Sequence, residues 1–290
     1  MPRGVPRSGF RMTNKRKAVS KVLTKDIIEQ HTPVVILQNE TDTEIAARLD
    51  ERFDILQTMA SAAISGNIRS VIVSGAPGVG KSYGIQKLLT EHDPNGETFT
   101  IVRGFTRPTG LFKLLYQHRH KGNVIVFDDA DSAFGDDIGL NLLKAVCDTT
   151  DQRVVSWLAE TNLIDEESAE RIPRTFVFNG SVVFLTNLDF ETLIARGHKL
   201  APHLEALMSR SHYLDLSLKT RRDYLIRLRS VIKAGLLSSL NETQHKEVVD
   251  FLEENYAKMR ELSLRAAIKL ASLCKSSPKW KTIAKVTMLK

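Results

Sequence analysis

The sequence has few cysteines and no long apolar run. Only two of its 290 residues are cysteine, Cys147 and Cys274, and they lie far apart within helix-like stretches. They offer no metal-ligand spacing and no disulfide framework, so we expect a reducing compartment. No stretch approaches the roughly 18 consecutive apolar residues of a membrane span. These absences predict a soluble cytoplasmic protein without a membrane partner.

Acidic residues are missing from both ends of the chain, although the net charge is only +7. Residues 1–25 carry eight lysines and arginines with no acid, and residues 262–290 carry seven with none. The middle of the chain is therefore acidic. We interpret residues 1–41 as a basic N-terminal arm and linker. The arm is typical of a solvated tail, of a segment that contacts DNA or RNA phosphates, or of a transit peptide.

A phosphate-binding loop is the most specific signal in the chain. It fits the pattern G-x-x-x-x-G-K-[ST] at every fixed position: Gly75-Ala76-Pro77-Gly78-Val79-Gly80-Lys81-Ser82. An apolar strand pattern precedes the loop and a helical spacing follows it, as the motif requires. Lys81 is expected to reach the β- and γ-phosphates of a nucleotide, and the Ser82 hydroxyl to bind Mg²⁺. We count the next residue, Tyr83, among the nucleotide-binding residues.

Two acidic residues follow a second apolar run. Val124–Phe127 reads as a strand buried on both faces, and Asp128 and Asp129 stand at its carboxyl end. Ligands of open α/β sheets bind at that edge. We therefore predict that Asp128 is the Mg²⁺ partner and that Asp129 orients or activates the attacking water.

A third apolar run, residues 181–186, also ends in a polar residue, Asn187. Asn187 is expected to stand beside the second acid and to hydrogen-bond the γ-phosphate or the water. An ordinary turn residue that ends a strand is the equal alternative. The segment 153–178 predicts an inserted β-hairpin.

These three runs, taken in order, resemble the AAA+ ATPases of the P-loop NTPase superfamily. The resemblance covers about residues 42–275 and implies that Asn187 is the first sensor residue of the family. It also implies ATP and Mg²⁺ as cofactors and hydrolysis of ATP. A guanine-reading N-K-x-D motif is absent from the sequence.

The resemblance implies an α/β fold with a three-layer core around a parallel sheet, followed by a small helical lid. We assign the core to residues 42–218 and the lid to 219–275. Residues 276–290 are predicted to be a basic C-terminal tail.

Two arginines take their roles from the same resemblance. Arg210 follows a short helix, directly before a strand, and matches the arginine finger that enters a neighbouring subunit's nucleotide site. Arg265 lies in the first turn of a predicted lid helix and matches the second sensor. The alternatives are a surface arginine near a helix end for Arg210 and a solvated arginine for Arg265.

An arginine finger acting in trans implies a ring or helical homo-oligomer, commonly a hexamer in this family. The compact chain is also similar to small AAA+ proteins of bacteriophages or bacteria, which implies the cytoplasm of a bacterial or phage-infected cell.

The macromolecule on which the protein acts stays open at this stage. The basic ends favour a DNA or RNA motor. Phe105, in a loop where many AAA+ members carry a substrate-gripping aromatic, favours a protein remodeller. Asp129 is shorter than the glutamate common at its position, which favours a slowly hydrolysing switch or scaffold.

Overall fold

The computed structural model describes residues 40–290 except 105–106, 130–133, 135–136, 160–161 and 166–168. Most of the basic N-terminal arm and Phe105 therefore lie outside the described residues. Residues Thr41–Lys290 form one compact unit. Within the described residues, no helix combines the length and apolar character that crossing a bilayer requires.

The described part of the chain contains seven strands, most of them separated by helices. The strands are β1 (Ser70–Ser74), β2 (Phe99–Arg103), β3 (Val124–Asp128), β4 (Val154–Ser156), β5 (Thr175–Val177), β6 (Ser181–Thr186) and β7 (His212–Asp215). The helices are α1 (Asp42–Ile64), α2 (Lys81–His92), α3 (Pro108–Gln117), α4 (Asp137–Cys147), α5 (Phe190–Ala195), α6 (Ala201–Met208), α7 (Arg221–Val231), α8 (Glu242–Asn255), α9 (Leu264–Ser276) and α10 (Trp280–Met288). A π-helical turn, Ile232–Leu236, extends α7.

Five of the strands form one parallel sheet in the order β2-β3-β6-β1-β7. Every residue of β1, β3 and β6 is buried, which explains their continuous apolar sequences. Ser74 of β1 pairs with Thr186 of β6, and Asp128 of β3 pairs with Leu185. The carboxyl ends of these three strands therefore lie side by side. The predicted α/β fold with a parallel sheet is confirmed.

Helices cover both faces of the sheet and make the core three-layered. On one face, an apolar cluster joins the sheet to α3, α4, α5 and α6, with Leu115 and Leu143 fully buried. On the other face, a second cluster joins the sheet to α1 and α2 through Leu49 and Ile85. The predicted hairpin is present as the antiparallel pair β4–β5, with Val155 and Phe176 turned inward.

The helices after β7, which we call the lid, share an apolar cluster of their own. Its first helix begins with a capping box in which Thr220 and Asp223 exchange hydrogen bonds. Asn241 caps α8 and Ser263 caps α9. Threonine, asparagine and serine are residue types that favour the cap position.

The predicted tail at residues 276–290 is wrong. Most of that segment is the helix α10, whose Trp280 and Ala284 are buried in the lid cluster. The Trp280 ring packs 5.3 Å from the Phe251 ring, centroid to centroid. The burial of this helix extends the lid almost to the end of the chain.

Candidate nucleotide-binding site

The phosphate loop connects β1 to α2 and depends on glycines at two positions. Gly78 has φ 75° and Gly80, which caps α2, has φ 107°. Both angles lie in the left-handed region, where a side chain is strained. The loop thereby ends at the N-terminus of α2, where the free N–H groups and the helix dipole favour a phosphate.

Lys81 is buried, with 5% of its surface exposed. Its Nζ donates to the carbonyl oxygen of Thr186 at 3.1 Å and to Asn187 Oδ1 at 3.0 Å. It also donates to the Gly75 and Ala76 carbonyl oxygens of the loop. Oxygen acceptors thus hold the ammonium group at the carboxyl end of β6.

Ser82 and Asp128 bring two oxygen donors together. The Ser82 hydroxyl donates to Asp128 Oδ1 at 2.6 Å, and Asp128 is only 6% exposed. A hydroxyl and a carboxylate are ligands that suit Mg²⁺, which takes a few protein oxygens and completes its shell with phosphates and water. In the described residues, no group of three or more His, Cys, Asp or Glu side chains offers a separate metal site. The pair therefore fits Mg²⁺ bound together with a nucleotide.

Asp129 adopts a backbone conformation that is rare outside glycine, with φ 53°. Its N–H still donates to the Leu185 carbonyl oxygen at 3.0 Å, so the chain leaves β3 immediately after a sheet hydrogen bond. Asn187 Nδ2 donates to Asp129 Oδ1 at 2.8 Å. Strain of this kind concentrates at functional sites. Asp129 is exposed, so its carboxylate is accessible to water.

Arg103 is a site residue that the sequence does not reveal. It ends β2 and pairs in register with Asp128 on β3. Its Nε donates to Asp128 Oδ2 at 2.9 Å, on the oxygen that Ser82 leaves free. The guanidinium therefore competes with a cation for the carboxylate. The only sequence signal was the position of Arg103 at the carboxyl end of a strand.

The lid contacts the phosphate loop directly. Leu264 N–H, at the start of α9, donates to the Gly78 carbonyl oxygen at 2.9 Å. Arg265 Cγ lies 3.8 Å from the position that a Cβ on Gly78 would take, so the aliphatic part of this side chain lies beside the loop. By contrast, the Tyr83 side chain is 67% exposed on α2.

Arg227, on α7, is a second lid cation near the loop that the sequence does not reveal. Its guanidinium stacks 3.4 Å from the centroid of the Phe53 ring, and Nη1 lies 3.6 Å from an Asp50 carboxylate oxygen. Nη2 lies 3.8 Å from where a Cβ on Gly80 would be. Burial lowers the pKa of Arg227 to about 10, so the group stays charged at neutral pH. The contact joins α1, the lid and the loop.

Arg210 does not join the site of its own chain. It precedes β7, and its carbonyl oxygen accepts from Ser70 Oγ at 3.2 Å, where β1 begins. The phosphate loop follows the other end of β1, about 16 Å away at roughly 3.3 Å per strand residue. Arg210 Nη1 donates to the Ala206 carbonyl oxygen at 2.7 Å, and Nε lies 3.7 Å from an Asp148 oxygen. Any contact with nucleotide would have to be made in another subunit.

The fold and the site define the class of the protein as a P-loop nucleotide-binding protein with an AAA+-like arrangement of sheet and helices. A parallel sheet carries the phosphate loop, the Asp128–Asp129 pair and Asn187 on three adjacent strands, and a helical lid contacts the loop.

No family model matches the chain. The chain is 35% identical, over 250 residues, to a 36.7 kDa protein of Enterobacteria phage T4, encoded in the nrdC–mobD intergenic region. The match covers 84% of this chain and 76% of the phage protein, so the chain belongs to the same family as that protein.

Two solved structures are similar at 12% identity. One is the RuvB Holliday junction branch migration motor of Thermotoga maritima, with a TM-score of 0.49 over 82% of this chain and 68% of that one. The other is NtrX of Brucella abortus in complex with ATP, with a TM-score of 0.48 over 77% of this chain and 49% of that one.

Proposed function

We propose that the protein hydrolyses ATP to ADP and phosphate and uses the cycle, as a ring or helical homo-oligomer, to move or remodel a nucleic acid. The observation that carries the hydrolysis is a continuous hydrogen-bonded chain from Lys81 through Asn187 to Asp129. The Ser82–Asp128 pair lies beside it. Groups for phosphate, water and cation thus meet at one edge of the sheet.

In this mechanism the loop N–H groups bind the β-phosphate at the start of α2. Lys81 exchanges carbonyl acceptors for phosphate oxygens and offsets the charge that develops during phosphoryl transfer. Asp129 accepts a hydrogen bond from the attacking water, while Asn187 keeps the Asp129 carboxylate in place. Bound Mg²⁺, held by Ser82 and Asp128, would supply further neutralisation of phosphate charge.

A direct test compares Lys81→Ala and Asp129→Asn with Lys87→Ala, in which an exposed lysine of α2 is removed. We expect Lys81→Ala to lose ATP binding and Asp129→Asn to bind ATP with turnover reduced by at least two orders of magnitude. Lys87→Ala should match the wild type. Normal turnover by Asp129→Asn would contradict the proposed role of the carboxylate.

The oligomer is supported by the position of Arg210 at the sheet edge opposite the loop. If Arg210 serves a neighbouring site, Arg210→Ala and Lys81→Ala subunits are each inactive alone. Mixing them should restore activity, because an intact loop then meets an intact arginine across a subunit boundary. Mixtures as inactive as the separate variants would argue against a role in trans.

A nucleic acid target is supported by the excess of basic residues at both ends of the chain. The relationship to a phage T4 protein supports the cytoplasm of an infected bacterium as the place of action. Stimulation of ATP turnover by DNA, absent with a polyanion such as heparin, is the expected result. Stimulation by a protein and by no nucleic acid would favour a protein remodeller instead.

A further inference from the structure

We propose that the outer surface of α9 and α10, in the lid, binds the sugar–phosphate backbone of duplex DNA. The inference rests on the proposed action on nucleic acid and assigns that action a surface.

The charged side chains that α9, α10 and their flanks contribute to this surface are all basic. Residues 262–290 contain no acid, and six lysines of α9, α10 and their flanks are exposed: Lys269, Lys275, Lys279, Lys281, Lys285 and Lys290. Lys269 and Lys281 lie 3.7 and 3.8 Å from Glu261 and Glu247, in exposed pairs that contribute little. Lys275, Lys279 and Lys285 have no ion-pair partner among the described residues. The positive charge is therefore available to an external polyanion.

The helix α10 presents these lysines on a rigid support. Trp280 and Ala284 anchor it in the lid cluster, while Lys281 and Lys285 are exposed one turn apart. That separation is about 6 Å along the helix axis at 1.5 Å per residue. Two cations held at a fixed separation suit a duplex, whose phosphates also lie at fixed separations, one per 3.4 Å of axis on each strand.

A groove between α9 and the end of α10 adds hydroxyl groups to the cations. It has a volume of about 590 Å³, and the polar side chains Arg260, Lys269, Ser272 and Thr287 line it together with apolar ones such as Ile268, Leu273 and Met288. Its single acid, Glu261, already accepts a 2.6 Å hydrogen bond from Ser263 and faces Lys269. Cations and hydroxyls together are typical of phosphate contacts, which are independent of base sequence.

The lack of exposed aromatic rings selects the duplex over a single strand. Trp280 is the only aromatic residue in 262–290, a range that the structure describes completely, and it is 3% exposed. Single-strand binding surfaces stack bases on aromatic side chains. Without an exposed ring, this surface offers cations for the backbone and no platform on which bases could stack. The first residue of α9, Leu264, donates a hydrogen bond to the Gly78 carbonyl oxygen. One helix therefore contributes to this surface and also contacts the phosphate loop.

The test is fluorescence anisotropy with a labelled 30-base-pair duplex, at several salt concentrations between 50 and 200 mM. The variant Lys275→Glu/Lys279→Glu/Lys285→Glu is compared with Lys199→Glu/Lys233→Glu/Lys246→Glu, which changes the net charge equally at exposed positions elsewhere. We expect the first variant to bind the duplex at least tenfold more weakly. The slope of the logarithm of its binding constant against the logarithm of the salt concentration should fall in magnitude by about 2 to 3. The control should stay within twofold of the wild type.

Equal weakening by both triple variants would overturn the inference, as would tighter binding of a single strand of equal length or of anionic vesicles. Turnover of ATP without DNA, measured on the same preparations, separates this inference from the proposed hydrolysis. A protein that hydrolyses ATP normally but binds no DNA would contradict the proposed DNA-binding surface without contradicting the proposed ATPase activity. Circular dichroism establishes that each variant is folded.

Discussion

The side-chain amide of Asn187 joins Lys81 to Asp129. Its Oδ1 accepts from Lys81 Nζ at 3.0 Å, and its Nδ2 donates to Asp129 Oδ1 at 2.8 Å. An amide can make both contacts because one end accepts and the other donates. The residue therefore fixes a cation and an anion relative to each other, whichever of them contacts the nucleotide.

Replacing Asn187 with alanine should reduce turnover far more than ATP binding. The amide positions the Asp129 carboxylate, and loss of one preorganised polar contact typically costs about 10²-fold to 10³-fold in kcat. Steady-state kinetics and ATP binding by calorimetry measure the two effects. Asn141→Ala, at an exposed position of α4, is the control. An Asn187 variant with unchanged kcat would show that the bridge is only structural.

Removing the Arg103 guanidinium should change the response to Mg²⁺. Since Arg103 Nε competes for Asp128 Oδ2, Arg103→Ala is expected to lower the half-saturating Mg²⁺ concentration several-fold. The measurement is a Mg²⁺ titration of ATP turnover at fixed ATP. Arg196→Ala, also exposed, should leave that concentration unchanged. A higher Mg²⁺ requirement for Arg103→Ala would mean that the arginine assists the site.

Gly78 and Gly96 form a matched pair for testing the contact between lid and loop. Their φ angles are 75° and 73°, so alanine introduces similar backbone strain, about 1–2 kcal/mol, at both positions. A Cβ on Gly78 would lie 2.7 Å from Ser263 Cβ, whereas one on Gly96 meets nothing within 4 Å. Gly78→Ala should therefore lower the melting temperature more than Gly96→Ala, in the absence of nucleotide. Equal losses would indicate that the lid does not rest on the loop in solution.

Cys147 should resist thiol reagents in the folded protein. Burial raises the pKa of its thiol to about 11, which reduces the reactive thiolate at pH 8 by about a hundredfold. Between pH 9 and 11 the unfolded thiol ionises while the folded one does not, so rising pH costs stability. In a Cys274→Ser background, a disulfide reagent should label Cys147 only after addition of urea. Rapid labelling of the native protein would reveal opening of the core around α4.

The phosphate loop, the Asp128–Asp129 pair and Asn187 could be located from sequence because each follows a fully buried strand. A continuous apolar run that ends in polar residues indicates both the strand and its carboxyl end. The structure then brings Asn187 beside Asp129, as expected from the strand pattern. The catalytic and binding roles of these residues stay predictions.

Other features depend on which elements meet in space. Arg103 reaches Asp128 only because β2 pairs with β3, and no local pattern states that pairing. The cap of α1 is Thr41, one of several neighbouring polar residues of types that favour the cap position. The helix α10 was not predicted because the many lysines of this segment suggested a tail. The four-residue spacing of the apolar residues Trp280 and Ala284 is a helical signal that the sequence does contain.

In the sheet, β6 lies between β1, which precedes the phosphate loop, and β3, which ends in the acid pair. Along the chain, β6 follows β3 only after a long excursion. Pairing of β6 with β1 and β3, and not the length of that excursion through α4 and the β4–β5 hairpin, fixes the spacing between Lys81, Asn187 and Asp129. The site is assembled by strands that are distant in sequence and adjacent in the sheet, so its geometry depends on the completed sheet and not on any single segment.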